Sequence, residues 1–454
     1  MPLPQKQPYL SFYRTVGLGA MLIWGILTPP LLGQPQPLTT QAARREQLQR
    51  ERQRIHPDHY DLNRYPLTES HETHWRRLLW ATALQQPHHP YVFQSLRQLL
   101  QRTTANQLTP TETTIITQAL QVSNLYIRQH PATRAQLQAS LLQVVQSSPH
   151  PRWVALALNA LVRSTSLTPA QQTQLLAQTR QRFPQPPDLL AIVLQELEQS
   201  PQRLPPLAEL LSWQAQAGQM QLYVFCRNNR WVPCTLIVKD NQGEFYREQG
   251  QIWSRQLLLQ SVYGLDWAFT YGQTPQGLHR VAGITETRSG DLFRAYGQFP
   301  LVKLFLPFEA GVQEFFPGQP SPWRGSLADY QERLPPSWRN YTPLHQSYQA
   351  GRLGRSLLRI HGTGDTPELF VRPRGVAHSW NPALGCLTAL ELYTPTGELQ
   401  QGDMAEILRV LDQASGGTFL GYLLVVELPD AIEMTGGTAW LEPYLPTVPG
   451  IARP

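Results

Sequence analysis

Two residues late in the chain have the types and setting of a nucleophile and its base. His361 ends the apolar run Ser356-Leu357-Leu358-Arg359-Ile360, and Cys386 follows Gly385 after a Pro/Gly-rich loop. A thiol becomes a useful nucleophile when an imidazole can take its proton, and a tight turn ahead of it can aim backbone N–H groups at an oxyanion. On this reading Cys386 attacks an acyl carbon and forms a thioester. His361 accepts the thiol proton or holds it in a thiolate–imidazolium pair, and the N–H groups of Gly385 and Cys386 stabilise the tetrahedral intermediate.

Three segments, in order, carry a family likeness. Gly272-Gln273-Thr274-Pro275-Gln276-Gly277-Leu278-His279-Arg280-Val281, then His361-Gly362-Thr363, then Gly385-Cys386 together resemble the L,D-transpeptidase (YkuD-type) catalytic domain. The likeness covers roughly residues 219 to 430. It implies attack on a peptidoglycan stem tetrapeptide at its diamino-acid carbonyl, expulsion of the terminal D-alanine, and transfer of the acyl group to a second stem's amine. It also implies that the Gly362 carbonyl fixes the imidazole tautomer and that neither metal nor cofactor takes part. The third segment departs from the pattern. Where the family has Ser-His-Gly-Cys-x-Arg, this chain has Ala383-Leu384-Gly385-Cys386-Leu387-Thr388, without the serine, second histidine or arginine. The 25 positions from His361 to Cys386 exceed the family's usual interval and contain Arg372, Arg374 and His378. Either arginine is a candidate to replace the missing cation in holding a carboxylate or the local backbone, and His378 is a rival base.

A papain-like peptidase runs cysteine before histidine, the reverse of the order here. The plainer alternative is that Cys386 is buried and inert, as free cysteines commonly are. Two readings therefore stand. One is an exported cysteine acyltransferase acting on peptidoglycan. The other is a catalytically silent transpeptidase-fold protein that binds cell wall or a partner protein.

The elements that must position these residues read as two halves, an α+β multidomain chain. Residues 65–217 are expected to be all-helical, a HEAT-like solenoid or irregular bundle that binds a protein partner or positions its neighbour. Leu108-Thr109-Pro110-Thr111-Glu112 and Leu167-Thr168-Pro169-Ala170-Gln171 are helix starts, each with a Thr N-cap, Pro in the first turn and Glu or Gln three residues on. Arg134 to Val145 and Trp153 to Val162 are further helices, the second apolar nearly all round and so buried. Residues 218–430 are β-rich. Leu222 to Cys226, Trp231 to Lys239, Gly243 to Arg247, Leu278 to Ile284 and Leu301 to Leu306 read as strands. After Cys386 come Leu387 to Tyr393, a helix from about Gly402 to Gln413 and a strand from Gly421 to Leu428. The aromatics between 286 and 350 wall a cleft or pack its loops, with packing the expected role.

Residues 1–33 have a basic start, a short apolar run and helix breakers, the pattern of a signal peptide or an uncleaved membrane anchor. Residues 34–64 are a charged linker, helical in part, and 431–454 an irregular tail. With a net charge of +6 and no Lys/Arg tract, nucleic acid is excluded as a partner. Periplasm or cell envelope is the expected location. Of the three cysteines, Cys226 and Cys234 flank a turn; centred on Asn228, it gives poor register for a disulfide, so two unpaired residues are the expectation. His71-Glu72-Thr73-His74 lacks metalloprotease spacing, and with His56, His59, His88 and His89 it reads as surface histidine.

Overall fold

The computed structural model describes residues 41–164, 166–285, 299–362, 383–393, 399–434 and 437–445. All belong to one compact unit, 35–454. Residues 1–33, Thr363, Arg372, Arg374 and His378 lie outside the described residues.

Pro at the first helical position recurs because its missing N–H costs nothing there and its fixed φ suits the helix. The helices are α1 (Gln41–Arg54), α2 (Glu72–Gln85), α3 (Pro90–Gln101), α4 (Pro110–Gln129), α5 (Pro131–Ser147), α6 (Pro151–Arg163), α7 (Pro169–Arg182), α8 (Asp188–Glu198) and α9 (Leu207–Ser212). Thr109 and Thr168 close full capping boxes on α4 and α7. Every residue from Trp153 to Leu161 of α6 is buried, as its apolar circumference requires. Contacts skip along the chain: α2, α4, α6 and α8 form one row, and α3, α5 and α7 a second. The region expected as a linker is helical as α1, and Thr438 begins a short 3-10 turn, Ala439–Tyr444, in the tail.

The strands are β1 (Met220–Cys226), β2 (Cys234–Lys239), β3 (Arg247–Glu248), β4 (Gln251–Ile252), β5 (Ser254–Leu258), β6 (Gly277–Thr285), β7 (Leu301–Phe305), β8 (Arg359–Gly362), β9 (Leu387–Ala389), β10 (Glu391–Tyr393), β11 (Leu399–Gly402) and β12 (Leu420–Glu427). Short helices α10 (Leu327–Gln331) and α11 (Gln346–Arg352) precede β8, and α12 (Asp403–Ser415) precedes β12. Eight strands close into a barrel in the order β1-β12-β6-β7-β8-β9-β5-β2, with only β1–β12 and β8–β9 parallel. The molecule is thus α+β. Both faces of the sheet are covered, so β1 and β2 are buried along their whole length and β12 at all but its ends. Leu222 and Val224 face a core shared with the helices, whereas Tyr223 and Phe225 face an aromatic core built by Phe315, Phe316, Trp323 and Tyr348. The loop aromatics therefore pack, ring against ring.

Two expectations are corrected. Gly243 to Arg247 is not one continuous strand: the Asp240 carboxylate accepts from the Gln242 and Glu244 N–H groups and turns the chain at 241–243, Phe245 then makes a single antiparallel bridge to Lys239, and β3 is only Arg247–Glu248. Cys226 and Cys234 are disulfide-bonded, with Cα atoms 4.3 Å apart. The register pairs Phe225 with Thr235, so the next pair outward is the two cysteines; the turn is centred on Arg230, not Asn228. Of the helical-half histidines, His56, His88 and His89 are exposed, but His74 stacks on Tyr65 and contacts the His59 carbonyl, which leaves it half-buried.

The helix row α2–α4–α6–α8 docks on the β5–β6 loop. Asn124 donates to the Tyr263 carbonyl at 2.9 Å and Arg128 to the Gly264 carbonyl at 2.7 Å. Arg128 and Arg163 then hold Asp266 at 2.6 and 3.2 Å. Burial alone would raise the Asp266 carboxyl, but the two guanidiniums outweigh it and hold it below the usual carboxylate range. Removing the shared carboxylate takes a charged hydrogen bond from each of two partly exposed guanidiniums, costing roughly 1.5–3 kcal/mol. Asp266→Ala is expected to lower the thermal midpoint of the whole chain, whereas Glu46→Ala, which breaks an exposed pair with Arg50, should leave it nearly unchanged. Differential scanning calorimetry of the two variants checks this.

Candidate active site

The strand directions place the relevant loops at one end of the barrel. The C-terminal ends of β1, β5, β7 and β12 and the N-terminal ends of β2, β6, β8 and β9 share a rim. On that rim lie Cys386, just before β9, and the Thr274-Pro275-Gln276-Gly277 turn, just before β6.

β8 and β9 run parallel, with His361 opposite Thr388 and Ile360 opposite Leu387. The next pair toward the rim is Arg359 with Cys386. Alternation then puts Arg359, His361, Cys386 and Thr388 on one face, with His361 one diagonal step from the cysteine. The structure thus sets His361, in β8, and Cys386, just before β9, on one face, while the Cys386 thiol donates to the Leu357 carbonyl rather than to the imidazole.

Gly385 has φ +105°, a conformation that disfavours any side chain, and a Cβ there would lie 2.4 Å from the Gly272 carbonyl oxygen. The Thr274 hydroxyl donates to the Gly385 carbonyl at 2.8 Å, joining the first sequence segment to the third. Val262 N–H also donates to the Ala383 carbonyl at 2.9 Å, pinning the same loop from the β5 side. Gly362 is equally constrained, because the buried Glu391 carboxyl occupies the space of its missing side chain.

Arg355 was not singled out from the sequence. It is 6% exposed and sits between the segments. Its guanidinium donates to the carbonyls of Gly272 (2.7 Å), Gln273 (2.9 Å) and Trp267. A Cβ on Gly385 would lie 2.6 Å from its Nη2. A cation therefore does hold the backbone beside the cysteine, supplied by Arg355. Glu391 was also missed; its one signal is a charged residue inside the apolar run Leu387 to Tyr393. Arg355 gave no comparable signal, since its importance comes from carbonyls some eighty positions away.

Electrostatically the site is dry. Burial raises the Cys386 thiol above its ordinary range, outweighing the Arg359 N–H and the Arg359 and Arg355 charges, which pull it down. The thiol points at the Leu357 carbonyl, 3.7 Å away, and Cys386 is 8% exposed. Burial likewise lowers His361 from 6.5 to about 4, against the contact of its Nδ1 with the Gly362 carbonyl at 3.4 Å. At neutral pH the pair rests as thiol and imidazole, so the thiolate–imidazolium form is not the resting state. Leu357 has φ +65° and is 66% exposed, a strained apolar residue at the lip of the site. Its N–H is held by the buried Glu309 carboxylate at 2.9 Å.

Among the described residues no group of His, Cys, Asp and Glu is placed to hold a metal ion. No family model, curated protein or solved structure matches the chain.

The histidine sets a pH dependence. The unfolded ring binds a proton near 6.5 and the folded ring only near 4, so between these values the unfolded state carries more protons. Stability is therefore retained above the upper value and lost as pH falls toward the lower one, by on the order of 3 kcal/mol for His361. His279, buried in β6 and lowered to about 3, acts in the same direction. Urea unfolding from pH 7 to 4 should show this decline, and His361→Asn should flatten it in part.

Proposed function

We propose that this chain is an exported, L,D-transpeptidase-like cysteine acyltransferase acting on peptidoglycan stem peptides. Cys386 Sγ attacks the diamino-acid carbonyl as its proton passes to His361, and the N–H groups of Gly385 and Cys386 receive the oxyanion. The tetrahedral intermediate collapses to a thioester, and His361 returns the proton to the departing D-alanine amine. A second stem's side-chain amine then attacks the thioester carbonyl and frees the thiol. The observation that carries this reading is the Thr274 hydroxyl on the Gly385 carbonyl. It joins the first and third segments of the resemblance, far apart in sequence, beside β8, the strand that ends in the second. Arg355 takes the part of the missing motif arginine as a positioning residue, rigidifying the loop that presents the thiol.

The helix and strand that follow the cysteine, α12 and β12, fit the resemblance as well. The two helix rows support a HEAT-like scaffold with a protein partner. The Cys226–Cys234 disulfide supports an oxidising compartment such as the periplasm. No described helix is long and apolar enough to cross a membrane.

The burial of the sulfur favours a second reading, the catalytically silent scaffold. The two part on one experiment. A carbapenem should form a covalent adduct seen by intact-mass spectrometry on the wild type and not on Cys386→Ala. Arg355→Gln should acylate at least about tenfold more slowly, with Arg355→Lys restoring part of the rate, since a lost charged hydrogen bond is worth that much. A folded wild type that forms no adduct leaves the scaffold reading.

A further inference from the structure

A cleft of about 630 Å³ opens between the docked helix row and the barrel rim, within the range of small-ligand sites. One wall comes from α4, α6 and α8 through Arg128, Arg163 and Glu196. The other comes from the rim through Asp266, Gln273, Gln276 and Glu427. The cleft lies across the Thr274 turn from Cys386: Gln273 and Gln276 line it, while Thr274 between them reaches Gly385.

Its lining says what class of ligand fits. Seven of its eighteen residues carry carboxamides, groups that donate and accept at once and so match hydroxyl and acetamido groups. Asn228 and Gln273 make no side-chain hydrogen bond among the described residues, so they are available to a ligand. Most of the charges present are already compensated, the exception being Glu196, which accepts from the Trp267 indole N–H at 3.4 Å and whose carboxyl burial raises. Arg128 and Arg163 are spent on Asp266, and Glu427 accepts from Arg230 at 2.7 Å. An ionic ligand would have to break these pairs. An extended peptide would want an open strand edge or apolar pockets, but the barrel is closed and the hydrocarbon on offer is Val162, Pro201 and Pro343, the Trp267 ring being almost wholly buried. Such small flat surfaces suit the C–H faces of a sugar ring.

We propose that this cleft is a binding site for a neutral oligosaccharide, shared between the helical half and the barrel. The site does not depend on the chemistry assigned to Cys386. Because the Gln273 carbonyl is held by Arg355, a sugar drawn onto Gln273 would also bear on the loop that carries the thiol.

Titration calorimetry of the full chain with triacetylchitotriose and with maltotriose tests the proposal, with a blocked, neutral alanine tripeptide as the competing class. Saturable binding of at least one sugar is expected. It should weaken about tenfold in Gln273→Ala, as the loss of a hydrogen-bonding side chain predicts. It should be abolished by Ser200→Trp, which fills the cleft from an exposed position, and unchanged in Cys386→Ala. Near-UV circular dichroism confirms that each variant is folded, with Asn228→Ala replacing Gln273→Ala if that one is not. No sugar binding by the wild type, binding indifferent to the cleft variants, or binding of the tripeptide alone would each overturn the assignment. Survival in Cys386→Ala separates this result from the acyl-transfer reading.

Discussion

The hold of Arg355 on three backbone carbonyls is the constraint on which the rest of the site depends. A guanidinium buried without a carboxylate partner is costly unless its N–H groups find acceptors, and here Gly272, Gln273 and Trp267 supply them. Burial brings its pKa down to about 10, with the nearby Cys386 pulling the other way, so it remains charged at neutral pH. That charge lies against Gly385, while the same carbonyls belong to the loop that Arg128 and Arg163 clamp through Asp266. A chain of contacts thus runs from helices α4 and α6, through the β5–β6 loop, to the residue before the cysteine. The helical half is in this sense the outer support of the thiol.

Desolvation then sets the resting protonation of His361 and Cys386. A thiolate next to an imidazolium needs an environment that favours both charges, and the burial here disfavours both. On the proposed acyl-transfer reading, this would be a neutral nucleophile with a neutral base, and proton transfer would accompany attack. A substrate entering past Leu357 would displace the thiol from the Leu357 carbonyl, and its own polarity would lower the cost of separating charge. The left-handed backbone at Leu357, bound by Glu309, keeps that carbonyl aimed at the sulfur.

Much of the local structure was legible in the residues. The capping boxes at Thr109 and Thr168 and the apolar circumference of α6 depend on neighbours a turn away, and such signals survive in a single sequence. In the fold Thr274 meets Gly385, and β8 and β9 bring the His-Gly and Gly-Cys segments side by side. What could not be read is long-range. The disulfide turned on whether a seven-residue turn centres on Asn228 or Arg230, a shift of two positions that no local propensity decides. The closure of eight strands into a barrel likewise depends on which apolar run meets which, and runs buried on both faces look alike. Arg355 belongs with these, since a lone arginine declares nothing until the carbonyls around it are known.

The aromatic segment shows why burial and function separate here. Phe315, Phe316, Trp323 and Tyr422 stack into a core behind the sheet, which leaves none of them at the lip where a substrate would pass. They instead stiffen the stretch between β7 and β8, and Tyr330 from that stretch accepts the Leu278 N–H at 2.8 Å, at the start of β6. The Thr274 turn is thereby fixed at both its ends, by the helices through Asp266 and by the aromatic core through Tyr330. On the readings proposed above, recognition would fall to polar groups on the rim and chemistry to Cys386, whose preceding residue is held by Thr274. A site assembled from segments this distant in the chain holds its geometry only because both cores press on one turn.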